Sequence, residues 1–209
     1  MIMIKKIVFI LGLLAINLVV AQKVVKKSIL NTKTNFIQVD VSKCFQLNLE
    51  TSNTDELVVE AIIDGEYKKD LLLNLIEDGQ TVLVSTGFSP SFVNPNDKLS
   101  AHKVISISLN IKIPKNKNVK VYGVSCNVKA KGIYHNLVVT LGDGQCMLDK
   151  VEGTAIVNTH SGDIKVYNAK ARINAATKYG TVYKDTTLQD ENYYTLSSVT
   201  GDIYIRKTE

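Results

Sequence analysis

A short phrase recurs in the C-terminal part of the chain as THSGDIKV, TKYGTVYK and SVTGDIYI, with a looser copy in TLGDGQCML. Aligning Gly144, Gly162, Gly180 and Gly201 gives spacings of 18, 18 and 21 residues. Seven residues before each glycine stand Leu137, Ala155, Ile173 and Tyr194, and five before stand Val139, Val157, Ala175 and Leu196. Two residues after stand Cys146, Ile164, Val182 and Ile203, and four after stand Leu148, Val166, Lys184 and Ile205. Apolar residues at every second position line one face of a β-strand. The glycine separates two apolar sets of opposite parity, so it marks a corner, where the missing Cβ permits positive φ or a close neighbouring backbone. A period near 20 built of short strands is the signature of a stacked repeat. One copy cannot bury its apolar face, whereas copies stacked about 4.8 Å apart share a continuous column and pair their backbones. The expected fold is therefore all-β, with residues 119–209 forming a parallel β-solenoid with rungs of about 18–21 residues, stacked in chain order. A left-handed hexapeptide helix is excluded, because stepping by six from Leu141 gives Met147, Gly153, Thr159 and Lys165.

Residues 22–118 are strand-rich without being periodic. FIQVDVS, FQLNLET, ELVVEAIID, TVLVSTG and VISISLNIKIP are short runs of Val, Ile and Leu, several alternating with polar residues. DLLLNLIED suits a strand better than a helical turn because its neighbours are strands. The turn signals Asp64-Gly65 and Asp78-Gly79 suggest antiparallel pairing of the runs on either side of each. Ser89 to Ser100 holds two of the three prolines and is the expected excursion loop. Gly123 begins an earlier, less regular copy of the repeat. The strand-rich half and the repeats are expected to form one continuous domain.

Residues 1–21 have the three parts of a secretory leader. Lys5 and Lys6 form the basic end, Ile7 to Val20 the apolar core, and Val19 and Ala21 the small residues of a cleavage site. The apolar run is shorter than a bilayer span requires. Cleavage after Ala21 leaves 209 − 21 = 188 residues and lowers the formal net charge from +5 to +3. So mild a charge, without a clustered basic stripe, argues against nucleic acid as a partner. No membrane span is expected after cleavage, and no cysteine follows the cleavage point to carry a lipid anchor. The expected location is the periplasm or cell surface of a Gram-negative bacterium.

The leader, the strand-rich first half and the repeated T-x-x-G-[DT]-[IV] corners resemble the adhesin-like β-solenoid family of exported bacterial proteins. The resemblance lies in THSGDIKV, TKYGTVYK and SVTGDIYI, covers roughly the last 90 residues well and the first half only in style. It implies a parallel β-solenoid, no catalytic residues, and a role in surface attachment. The expected function is accordingly non-enzymatic, mediating cell-envelope or surface interactions. The alternatives are a polysaccharide- or lipid-binding module, or a carbohydrate-active enzyme.

The sequence offers little chemistry of its own. No Ser-His-Asp order, phosphate-cradling loop or metal-ligand spacing is present, so no catalytic residue, metal or cofactor is assigned. His102, His135 and His160 are dispersed. Asp163 and Asp202 each follow a corner glycine, with Thr181 in that place between them; Asp suits a turn beside Gly, and a file of carboxylates also suits Ca²⁺. Cys126 and Cys146 lie 20 residues apart and are expected on adjacent rungs, either packed as small hydrophobes or joined as a disulfide. Lys165, Tyr183 and Tyr204 stand three residues after their glycines, facing away from the apolar columns. A file of exposed tyrosines offers flat stacking area with a polar tip, so these three are the candidate binding residues. The expected partners are an envelope protein or a glycan, together with weak homodimerisation through an end or a face of the stack.

Overall fold

The computed structural model describes residues 22–30, 33–65, 67–93, 105–167, 170–185 and 188–207. The leader, residues 94–100 of the excursion loop, and residues 101–104, which include His102, lie outside these. Among the described residues every regular element is a strand. They are β1 (Lys23–Leu30), β2 (Phe36–Asp40), β3 (Gln46–Ser52), β4 (Glu56–Gly65), β5 (Leu71–Asp78), β6 (Thr81–Phe88), β7 (Ile105–Pro114) and β8 (Asn118–Gly123). There follow β9 (Asn127–Leu141), β10 (Cys146–Thr159), β11 (Ile164–Tyr167), β12 (Lys170–Thr177), β13 (Val182–Lys184), β14 (Leu188–Ser198) and β15 (Ile203–Arg206).

These strands form one mixed sheet with two branches. The first runs β1-β4-β7-β3-β9-β10-β11-β15-β13. The second runs β5-β6-β2-β8-β9-β10-β14-β12. The long strands β9 and β10 belong to both, because each changes partner halfway along. Residues 127–131 of β9 pair with β3, and residues 136–141 pair with β8. In β10, residues 146–149 pair with β11 and residues 154–159 with β14. The change of partner falls at Gly132 and Gly153, whose φ angles of 111° and 98° lie where L side chains are strained. From β2 to β15 the pairings outside β4, β5 and their partners are parallel; β1–β4, β4–β7 and β5–β6 are antiparallel.

Alternation along each strand sends one set of side chains into a single apolar core, running from Ile37 to Ile205. Tyr134 and Tyr194 are wholly buried. Tyr134 donates its hydroxyl to the carbonyls of Leu49 and Lys131 at 3.3 and 3.1 Å, and Tyr194 donates to that of Val151. DLLLNLIED is a strand, β5, and it forms the expected hairpin with β6 across Asp78-Gly79. The hairpin expected across Asp64-Gly65 is absent: β4 pairs with β1 and β7, whereas β5 joins the other branch.

The corner glycines rest on one another. A Cβ on Gly162 would lie 1.8 Å from the Gly144 carbonyl oxygen, one on Gly201 2.3 Å from that of Gly162, and one on Gly180 2.3 Å from that of Gly201. Close approach, not positive φ, is what requires glycine here. At Gly162, Gly180 and Gly201 the hydroxyl three residues before the glycine ties the corner together. Thr159 Oγ1 donates to the Gly162 carbonyl at 2.6 Å and lies 3.0 Å from Ser198 Oγ, which accepts the Gly201 N–H at 2.9 Å. Thr177 Oγ1 accepts the Gly180 N–H and donates to the Gly201 carbonyl.

These contacts also reveal an order that differs from the one expected. The copies stack as Gly144, Gly162, Gly201, Gly180, with β14 and β15 lying between the preceding layer and β12/β13. The IYIR strand is therefore an inner one, and β12 and β13 form the end. Burial accounts for the inversion. The β14/β15 copy offers Tyr194, Leu196, Ile203 and Ile205 to the core, all buried. The β12/β13 copy offers Ile173, Ala175, Val182 and Lys184, the least apolar set, and takes the position covered on one side only.

Gly162→Ala is expected to lower stability by about 2 kcal/mol or more, because its Cβ meets backbone that cannot yield. Gly87→Ala places its Cβ 3.6 Å from Asn74 Nδ2, an ordinary contact, and should change stability by less than about 0.5 kcal/mol. Urea unfolding followed by circular dichroism compares the two.

Candidate binding surface

The outward positions of the first branch fall into rows that cross the strands. One row runs Asn48, Lys129, Met147, Lys165, Tyr204, Tyr183, each directly opposite the next. The structure thus brings all three candidate binding residues side by side. The two tyrosines are direct neighbours, and the inverted order sets Tyr204 rather than Tyr183 next to Lys165. The rings of Tyr183 and Tyr204 are stacked, with centroids 5.0 Å apart and planes inclined by 8°. Tyr183 remains 47% exposed, so one face of the stack is open to a ligand.

The surroundings hold this stack in place. Tyr204 donates its hydroxyl to Asp202 Oδ2 at 3.1 Å, and this bond to a carboxylate raises the phenol's pKa. The Arg206 guanidinium lies 5.6 Å from the Tyr204 ring centre. Lys165 Nζ donates to Gln145 Oε1 at 3.1 Å. At the far end of the row the amides of Asn48 and Asn110 are hydrogen-bonded at 2.8 Å. Lys129 and the asparagines were not legible as site residues, since they precede the repeat; their shared parity with the tyrosines appears only once the register is known.

Asp163 and Asp202 are adjacent, and Thr181 stands beyond them. Their carboxylates serve the backbone: Asp163 Oδ1 accepts the Asp202 N–H at 3.0 Å, and Asp202 Oδ1 accepts the Thr181 N–H at 2.7 Å. Asn127 does the same for the Gln145 N–H at 3.2 Å. Among the described residues no group of three His, Cys, Asp or Glu side chains is placed to hold a metal ion.

Cys126 and Cys146 do not stack. The strand offset is 18 residues, which sets Cys146 opposite Val128 and Val139 opposite Val121. Cys126 takes the corner position itself, its carbonyl oxygen 2.0 Å from where a Gly144 Cβ would stand. Gly123, which looked like an earlier corner, instead lies opposite Leu141. Cys44, Cys126 and Cys146 are all free and buried in this structure. Burial pushes Cys126 and Cys146 up to about 12 and Cys44 up to about 11.

A pocket lined by Ile29, Thr34, Ile37, Asp55, Leu57, Pro114 and Lys117 holds about 10 Å³, room for a water and not for a lipid chain. No helix among the described residues is long and apolar enough to cross a membrane.

No family model matches the chain, and no curated protein does. A crystal structure of a candidate cell adhesion protein from Clostridium sporogenes superposes with a TM-score of 0.65 at 15% identity, over 90% of this chain and 100% of that one. The fold has a solved precedent. At that identity the likeness concerns the fold alone. A candidate adhesin from Bacteroides fragilis reaches a TM-score of 0.33 at 11% identity, covering 89% of this chain and 98% of that one. A candidate lipid binding protein from Parabacteroides distasonis reaches 0.29 at 13% identity, covering 88% and 97%. Scores this low support no functional argument.

The raised thiol pKa values predict that native protein at pH 8 reacts negligibly with Ellman's reagent and that all three thiols titrate once urea unfolds the chain. Fewer than three would reveal a disulfide.

Proposed function

We propose that this chain is an exported, non-enzymatic β-solenoid of adhesin-like type, whose flat outer face binds a glycan or an envelope protein. The observation that carries the reading is the stacked pair Tyr183–Tyr204 beside Lys165, on a row of outward residues that supplies one side chain per strand. A sugar ring needs an apolar flat surface for its C–H face and polar groups for its hydroxyls, and an aromatic stack flanked by amine and amide supplies both. Strand spacing of about 4.8 Å is close to the rise of an extended saccharide chain, so successive side chains meet successive units. The parallel registers and stacked corners support the solenoid, the sequence of residues 1–21 supports export, and the fold shared with a candidate cell adhesion protein is consistent with surface attachment. The reading places the protein in the periplasm or at the cell surface of a Gram-negative bacterium.

The test is capture of envelope polysaccharides and envelope proteins on immobilised protein. Tyr183→Ala/Tyr204→Ala should reduce capture of the bound species by about tenfold or more, in line with the loss of two aromatic contacts. Equal capture by both proteins would remove the tyrosine surface from consideration.

A further inference from the structure

Among the described residues the sheet ends in four edge strands: β1 and β5 at one end of the two branches, β12 and β13 at the other. Each presents a row of backbone N–H and C=O groups to whatever lies beside it, and an unguarded edge is a template for another strand. A charge at an inward-facing position guards an edge, because pairing would bury it. Three of the four edges are guarded in this way. On β1, Lys23 and Lys27 share the parity of Val25, and the Lys23 ammonium also donates to the carbonyls of Lys69 and Leu71. On β5, Glu77 shares the parity of Leu71 and Leu73. On β13, only three residues long, Lys184 occupies the column of Ile205.

β12 has no such guard. It is eight residues long, and its inward positions are Ala171, Ile173, Ala175 and Thr177. Its cations, Lys170 and Arg172, both stand on the outward parity, exposed. Among the described residues its partner is β14 alone. The Lys178 N–H is donated to the Ser198 carbonyl, so by alternation the N–H and C=O of Ile173, Ala175 and Thr177 point to the free side. From Lys170 to Asp185 the terminal layer carries Lys170, Arg172, Lys178 and Lys184 against one carboxylate, Asp185. This charge disfavours a second copy of the same edge and favours an acidic occupant.

We propose that the free edge of β12 is the docking site for an extended acidic segment of a partner protein, which adds to the sheet as one more strand. Its backbone takes up the free N–H and C=O groups, its alternate apolar residues cover Ile173 and Ala175, and its carboxylates meet Lys170 and Arg172.

The probe is a fluorescent peptide of alternating Val and Glu, matched in length to β12, followed by anisotropy against the chain beginning at Gln22. The peptide should bind, while a Val/Lys peptide and a Val/Glu peptide N-methylated at alternate residues should bind at least about tenfold more weakly. Ala175→Pro removes one N–H from the free side and spares the bonds to β14; Ile173→Lys supplies the inward charge that the other edges have. Each should weaken binding by about tenfold with an unchanged circular dichroism spectrum. Tyr183→Ala/Tyr204→Ala should leave peptide binding intact, which separates this proposal from the glycan surface. Equal binding of the N-methylated peptide, or insensitivity to both β12 variants, would overturn strand addition. Polygalacturonate competing equally in wild type and Ala175→Pro would show attraction by charge alone. A dimer in light scattering that Ala175→Pro dissolves would assign the edge to a second copy instead.

Discussion

Backbone resting on backbone at the Gly144–Gly162–Gly201–Gly180 corner is the constraint from which the rest of this structure follows. The carbonyl of one layer occupies the space a Cβ would need in the next. That contact fixes the height and phase of each layer against its neighbour. Once the phase is fixed, Cys146, Ile164, Ile203 and Val182 must share one column, and Lys165, Tyr204 and Tyr183 another. The Thr and Ser hydroxyls and the Asp carboxylates reinforce the same phase by bonding backbone groups that the strands leave unpaired where they end. Side chains that look like chemistry in the sequence are thus consumed by architecture.

The order of the layers is set by a different term. All copies fit the corner, so the corner cannot choose among them. What distinguishes them is how much apolar surface each offers to a position covered on both sides. Leu196 and Ile205 gain more from an inner place than Ala175 and Lys184 do, and water remains available to the Lys184 ammonium only at the end. The tyrosines would be neighbours in either order; the sorting decides that Tyr204 stands beside Lys165 and that Tyr183 takes the end of the row.

Much of this was legible in the residues. The four columns, their parity, the corner glycines and the side on which the tyrosines stand follow from spacing alone, because a strand has period two and the repeat is regular. The layer order was not read, although Lys184 in an otherwise apolar column was the signal that its copy belongs at an end. The offset across Cys126 was missed because Gly123 imitates a corner that Cys126 occupies. The fate of β5 was missed for a third reason: a turn signal such as Asp64-Gly65 announces a reversal, and says nothing about which branch receives the strand after it. Asn48 lies in a strand outside the recognisable repeat and Lys129 on the half of β9 that precedes the first regular copy, so only three-dimensional register joins them to the tyrosines.

The inner position of β15 has a consequence for how such a protein can lengthen. In an ordinary stacked array, duplicating the last unit adds a layer at the tip. Here β15 already has a neighbour on each side. A duplicate of the β14/β15 unit could not stack directly on its parent. It would have to pass over β12 and β13 to reach the open edge, which makes the place of each layer a property of topology as much as of ancestry.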